Sequence, residues 1–186
     1  MNVVALIGAS VTRPSEAAAE LLNLGLGRGV AWMILALSVV VTVLVSFGIS
    51  GEAAVELIPG LEPFSPLMTT LFLGCMAVIM GYAIYFTGNA MDGAGTLTGS
   101  ILVVAWMQVL QLAALVIQGF LFLISPGFGS LVGILIGFGL IWVLLSFVDV
   151  LHGFGSLGRA ALLLLFVIVG LGLGLTLILG LIGVGL

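Results

Sequence analysis

Charged side chains are scarce in this chain. It has three Arg, no Lys and seven Asp or Glu, so only 5% of its residues are charged while 63% are apolar. Such a chain cannot present a soluble folded surface to water, because large exposed apolar patches drive association. It also has no basic patch that could neutralise a run of phosphates, so we expect no nucleic acid as a partner.

Cysteine and histidine occur once each, as Cys75 and His152. One cysteine cannot form an internal disulfide, and two such residues with scattered carboxylates give no ligand spacing of the zinc type. The sequence therefore predicts neither a metal nor any other cofactor.

Long apolar runs fill most of the chain, whose mean hydropathy is +1.52. A helix needs roughly 20 apolar residues to cross a bilayer. Five runs qualify, at approximately residues 30–49, 67–87, 100–124, 131–150 and 161–183. The alternation of apolar and polar residues that marks a transmembrane β-barrel is missing. We predict an all-α fold, a polytopic membrane helix bundle of about five transmembrane helices, over residues 30–186.

Residues 1–29 are expected to form a cytoplasmic or interfacial segment. A hydroxyl residue, a proline and an acid within residues 12–16 predict a helix start. Ala17, Leu21 and Leu24 share one face of that helix, which we expect to lie in the membrane interface. An unstructured tail is the alternative.

The arginines predict the orientation. Arg13 and Arg28 precede the first run and Arg159 lies between the fourth and fifth, whereas residues 51–66 carry three glutamates and no basic residue. Because basic residues concentrate in cytoplasmic loops, we expect a multi-pass protein with a cytoplasmic N-terminus and an external C-terminus. Residues 51–66, with three prolines, read as an external loop with at most one helical turn.

Small residues recur every fourth position on two runs. Gly129, Gly133 and Gly137 do so on the fourth run, and Gly170 and Gly174 on the fifth. Helices associate in lipid through such faces, because small residues let backbones approach closely. We expect packing within the bundle, with a homodimer face as the alternative.

Three glutamines mark one face of the third run. At 100° per residue, Gln108, Gln111 and Gln118 fall within an arc of about 80°. Buried amides need partners, so this face predicts either hydrogen bonds between helices or a wetted cavity. We weight the first more heavily, and count these glutamines with the helix-packing residues.

The densest polar cluster follows the fourth run. Asp149 and His152 are three residues apart, and Gly153, Ser156 and Arg159 come next. Asp149 could orient the His152 ring, and Arg159 with the N–H groups that open the fifth helix could hold a lipid phosphate. A turn capped by interfacial polar residues is the plainer interpretation.

Two catalytic motifs fail at this cluster. GFGSLG has the glycine spacing of a dinucleotide fingerprint, but membrane helices flank it where a strand should precede it. The elbow of serine hydrolases needs a glycine where Phe154 stands. We therefore expect that the protein is not an enzyme.

Three stretches together resemble the bacterial branch of the Yip1 membrane-protein family. They are the helix start at Pro14, MDGAGTLTGSILVVAWMQVLQ (residues 91–111) and FVDVLHGFGSLGRAALLLLFVI (residues 147–168). The last stretch fits a family loop of the form V-x-x-x-H-G-x-S-x-x-K/R-A, with one extra residue. The loop before the third run departs from the family because it lacks Lys or Arg. The resemblance implies five helices, a cytoplasmic N-terminus and the bacterial cytoplasmic (inner) membrane.

The leading functional hypothesis is a non-enzymatic membrane protein of the Yip1 type that organises or binds other membrane proteins or lipids. Its expected partners are membrane lipids together with other membrane proteins or a second copy of the chain. One alternative is an accessory or assembly subunit of a larger membrane complex. A second alternative is a facilitator for a small neutral or lipid-like molecule, which rests on the glutamines.

Overall fold

The computed structural model describes residues 2–58 and 61–181. Seven helices account for most of these residues: α1 Val3–Thr12, α2 Pro14–Asn23, α3 Arg28–Ser50, α4 Pro66–Ala90, α5 Leu97–Ile124, α6 Pro126–His152 and α7 Leu157–Leu181. The last five are long and apolar enough to cross a membrane. The predicted all-α bundle of five long apolar helices is confirmed. Residues 182 and 183 of the fifth predicted run lie outside the described residues.

The helix boundaries follow from capping chemistry. The hydroxyls of Ser65, Thr96 and Ser125 accept backbone N–H groups in the first turns of α4, α5 and α6. Prolines follow two of these caps directly, where a missing N–H costs nothing. At the other ends, Gly51 closes α3 and Gly153 closes α6 with positive φ angles of 68° and 66°, which glycine adopts without strain.

The helices alternate in direction, and the two ends of the bundle differ in chemistry. We call the end at which α3, α5 and α7 begin the arginine end, because Arg28 and Arg159 lie there. The opposite end, the loop end, carries residues 51–58 and 61–65. In the described part of that loop Val55 and Phe64 form an antiparallel bridge, with N···O distances of 3.0 and 2.8 Å, and the helical turn considered from the sequence does not form.

Helix α5 lies at the centre of the bundle. It packs against α3, α4 and α6, and its residues 101–106 are all buried. Helix α7 packs against α4 and α6 on the outside. Most of the buried apolar residues of these helices form one core cluster, which also includes residues of α1 and α2.

The N-terminal segment packs more closely on the bundle than the sequence suggested. Helix α2 begins at Pro14 as predicted, but Ala17 and Leu21 are buried in the core cluster against α6, so only Leu24 of the predicted interfacial face is exposed. Helix α1 is joined to α5 by the indole N–H of Trp106, which donates to the Ser10 hydroxyl at 3.0 Å. Both residues are buried, so this bond satisfies a donor that has no water to bind.

The hairpin of α5 and α6 generates a stability prediction. A Cβ added at Gly129 would lie 3.0 Å from the backbone nitrogen of Phe122, whereas one added at Gly139 on the same helix meets nothing within 4 Å. We expect Gly129→Ala to lower the free energy of unfolding by about 1–3 kcal/mol through overpacking. Gly139→Ala should leave it unchanged or slightly raised. Unfolding of the purified variants in mild detergent, followed by circular dichroism, measures both, and equal stabilities would contradict the close contact.

Candidate functional site

Two loops interlock at the arginine end. One joins α4 to α5 over residues 91–96, and the other joins α6 to α7 over residues 153–156. The Ala94 N–H of the first loop donates to the His152 carbonyl at 3.0 Å, and Arg159 Nη2 donates to the Met91 carbonyl at 2.7 Å. These bonds join segments that are far apart in the sequence, so they fix the two loops to each other.

The side chain of His152 is enclosed by glycines. The residue is only 2% exposed, and a Cβ added at Gly88, Gly93 or Gly95 would overlap its ring. At Gly93 the added carbon would lie 2.6 Å from Nδ1. Gly88 near the end of α4 and Gly93 and Gly95 in the loop that enters α5 therefore leave the space that the imidazole fills, and we call these three residues the glycine cradle.

A stack of side chains covers the cradle. The ring of Phe154 lies nearly parallel to that of His152, with centroids 5.3 Å apart and an interplanar angle of 16°. The guanidinium carbon of Arg159 lies 4.8 Å from the Phe154 centroid, within the range of a cation–π contact. The order from inside to outside is imidazole, phenyl ring and guanidinium.

Asp149 supports the loop and does not orient His152, which corrects the role suggested from the sequence. Its Oδ1 accepts the Ser156 N–H at 2.9 Å, and its carbonyl accepts the N–H groups of Gly153 and Phe154. Neither ring nitrogen of His152 has a hydrogen-bond partner among the described residues. No serine hydroxyl of the described residues forms a hydrogen bond with the His152 ring.

The glycines singled out on α6 differ in their surroundings. A Cβ at Gly129 would meet Phe122, and one at Gly133 would meet the amide of Gln118, both on α5. One at Gly137 would meet nothing within 4 Å. Of these three glycines, only Gly129 and Gly133 lie in close contact with α5.

The glycines singled out on α7 have open space beside them. A Cβ at Gly170 or Gly174 meets nothing within 4 Å. The first half of α7 buries Ala160, Leu163 and Val167 in the bundle. On the same side of the helix, further along, Ile178 and Leu181 are exposed.

The three glutamines line a cavity near the loop end. The cavity has a volume of about 430 Å³ and lies among α3, α4, α5 and α6. Its polar lining consists of the side chains of Thr42, Ser46, Thr69, Gln108, Gln111 and Gln118. None of the three amides forms a hydrogen bond with another described residue, and their role in helix packing stays a prediction. We call this space the glutamine cavity.

An apolar crevice adjoins the glutamine cavity. It has a volume of about 310 Å³, lies between α4, α5 and α6, and shares Gln108 and Gln111 with the cavity. Met76, Met80 and Met107 line it together with leucines and other apolar residues. We call it the methionine crevice.

Sequence reasoning missed three parts of this arrangement: the glycine cradle, the docking of α1 through Trp106, and the methionine crevice. The seven-residue interval from Gly88 to Gly95 is visible in the sequence, but nothing there links it to a histidine more than 50 residues later. No group of three or more His, Cys, Asp or Glu side chains that could hold a metal occurs within residues 2–58 and 61–181.

The chain was compared with models of protein families. The model of the Yip1 domain matches residues 8–179, which is nearly the whole chain and includes both interlocked loops. The comparisons with curated proteins and with solved structures gave no match. The family suggested by the motifs around Pro14, residues 91–111 and residues 147–168 is confirmed.

The glycine cradle generates a second stability prediction. We expect Gly88→Ala to destabilise the protein by about 1–3 kcal/mol, because the new methyl group would occupy the position of the His152 ring. Gly158→Ala is the control, since its Cβ would lie 3.5 Å from the Ser156 hydroxyl, an ordinary contact. Thermal unfolding in detergent measures the difference.

A double variant separates this contact from a general effect of alanine. In Gly88→Ala/His152→Ala the methyl group enters the space that the ring vacates, so the two losses should be less than additive. Fully additive losses would show that the glycine and the ring do not interact.

Proposed function

The chain belongs to the Yip1 family. From this premise we propose that it acts without catalysis, by binding other membrane proteins through the second half of α7, which includes Gly170 and Gly174. The observation that carries this function is the open space beside Gly170 and Gly174. Helices in lipid gain little from hydrophobic burial and associate where small residues admit a second backbone. A helix of another membrane protein would extend the packing that Leu163 and Val167 begin.

The absence of a catalytic role is part of the same proposal. The one histidine is enclosed by the glycine cradle, and its ring nitrogens have no partner in the described part of the chain. A general base must reach the proton that it removes, and an enclosed ring meets substrate poorly. Ser156 is exposed, but its backbone N–H is held by Asp149 as part of the loop.

We propose that the arginine end faces the cytoplasm of a bacterial cell, in its cytoplasmic membrane. Arg13, Arg28 and Arg159 belong to this end, and three glutamates lie in the loop at the other. This distribution supports a cytoplasmic N-terminus and an external C-terminus. Residues 1–29 would then form the cytoplasmic or interfacial segment, and residues 30–186 the transmembrane domain.

A second binding function, for anionic lipid, is favoured by the arrangement of Arg159. Its guanidinium is held by the Met91 carbonyl and by the Phe154 ring, and it has no carboxylate partner among the described residues. The side chain is exposed at the start of α7, where backbone N–H groups also favour negative charge. A lipid phosphate would use the guanidinium donors that Met91 leaves unoccupied.

Partner binding is tested by leucine substitutions on α7. The full-length tagged protein is purified from its native membrane after crosslinking, and proteins that accompany it are quantified by mass spectrometry. Gly170→Leu/Gly174→Leu should reduce the main crosslinked species, a second protein or a second copy, at least tenfold. Gly172→Leu is the matched control, because it lies on the other side of the same helix and its Cβ also meets nothing within 4 Å.

Two results would contradict the role of α7. One is an unchanged crosslinked species in the double variant, and the other is an equal loss in Gly172→Leu. Thermal unfolding of all three proteins verifies that the substitutions leave the bundle folded, as expected for sites with open space.

Lipid binding is tested separately with Arg159→Gln. In nanodiscs of phosphatidylcholine with a titrated fraction of phosphatidylglycerol, we expect this variant to bind the anionic lipid about fivefold more weakly, as befits about 1 kcal/mol per arginine near an anionic surface. Arg28→Gln, an exposed arginine at the same end, is the control. Equal weakening by both substitutions would indicate general surface charge and no site at Arg159.

A further inference from the structure

The glutamine cavity contains hydrogen-bonding groups without partners. Thr69 is only 5% exposed, yet its hydroxyl has no partner among the described residues, and the same holds for the buried hydroxyl oxygen of Thr42. The amides of Gln108, Gln111 and Gln118 add two donors and one acceptor each. An unpaired buried polar group costs about 1–3 kcal/mol, so a polar group that occupies the cavity and pairs with the hydroxyls of Thr42 and Thr69 would be stabilising.

The cavity has no charged lining. Neither it nor the methionine crevice includes an Asp, Glu, Lys, Arg or His side chain. An ionised phosphate, carboxylate or ammonium placed there would lose its hydration without gaining a counter-charge. The polar part of the occupant must therefore be uncharged, and it must offer both donors and acceptors to match amides and hydroxyls.

The methionine crevice continues the site on its apolar side. It meets the glutamine cavity at Gln108 and Gln111, and it is lined by flexible methionines that adapt to an irregular apolar shape. The volumes of about 430 and 310 Å³ each fall within the range of roughly 300–1,000 Å³ for small-molecule sites. A molecule that fills both has a polar group at one end and an apolar chain at the other.

We infer that the joined cavity and crevice bind an uncharged lipid, with its hydroxyl and ester groups on the glutamines and an acyl chain among the methionines. Diacylglycerol has this chemistry: ester carbonyls accept from the amide N–H groups, and its free hydroxyl both donates and accepts. A phospholipid with the same chains adds a charge for which the cavity has no partner. The site is separate from the α7 surface and from Arg159.

Glycines on α6 provide a matched pair of variants. Gly137 lines the cavity and a Cβ there meets nothing within 4 Å, so Gly137→Leu fills the cavity without a clash at its first carbon. Gly139 lies two residues further on the same helix, is equally open and does not line the cavity. Gly139→Leu therefore changes the same residue type on the same helix without filling the site.

The experiment uses the full-length protein in phosphatidylcholine nanodiscs, titrated with a diacylglycerol whose acyl chain carries a photoreactive group. Covalent labelling is quantified and mapped by mass spectrometry, with unlabelled diacylglycerol and phosphatidic acid of the same chains as competitors. We expect saturable labelling on α4 or α5 near Met80 and Met107. Unlabelled diacylglycerol should compete with this labelling at least tenfold better than phosphatidic acid does. Gly137→Leu should reduce labelling at least tenfold, and Gly139→Leu should leave it within twofold.

Three outcomes would overturn the site. Labelling that does not saturate would mean that the cavity holds water alone. Equal competition by phosphatidic acid would mean that an uncharged group is not recognised, and equal labelling of Gly137→Leu would place the lipid elsewhere. If Gly137→Leu does not fold, Gln111→Leu takes its place, with an expected loss of about fivefold for one hydrogen bond and Thr176→Val on α7 as its control.

Discussion

At the arginine end, the ring of His152 fills the space that Gly88, Gly93 and Gly95 leave between two loops. The contact determines where α4 and α5 can turn, because any side chain larger than hydrogen at these positions would displace the ring. It also places Phe154 over the imidazole and Arg159 over Phe154. The position of Arg159 in the first turn of α7 thus depends on a buried histidine.

The two ends of the bundle differ in the surroundings of their polar groups. At the arginine end, hydrogen bonds between the loops pair the carbonyls of Met91 and His152, and close packing encloses the His152 ring, whose nitrogens have no partner among the described residues. Toward the loop end, amides and hydroxyls line a space and have no partner in the described protein. In a solvent without hydrogen bonds the first arrangement gives rigidity and the second gives an affinity for a polar molecule.

Composition alone determined much of the architecture. A helix needs about 20 apolar residues to cross a bilayer, and five separate runs of the sequence meet this requirement however the helices pack. The starts at Pro14, Pro66 and Pro126 are local too, because a proline in the first turn depends on its neighbours in sequence. The motifs that indicate the family can also be recognised in the sequence, because each is a contiguous stretch.

Tertiary structure decided which of these residues meet. Gln118 lies against Gly133 while Gln111 faces open space, although both belong to one stripe on α5. Gly129 and Gly137 belong to one stripe on α6, but an added Cβ would meet α5 only at Gly129. Periodicity identifies the face of a helix on which a residue lies. The distance to the neighbouring helix depends on crossing angles, which are set by the packing of every side chain between them.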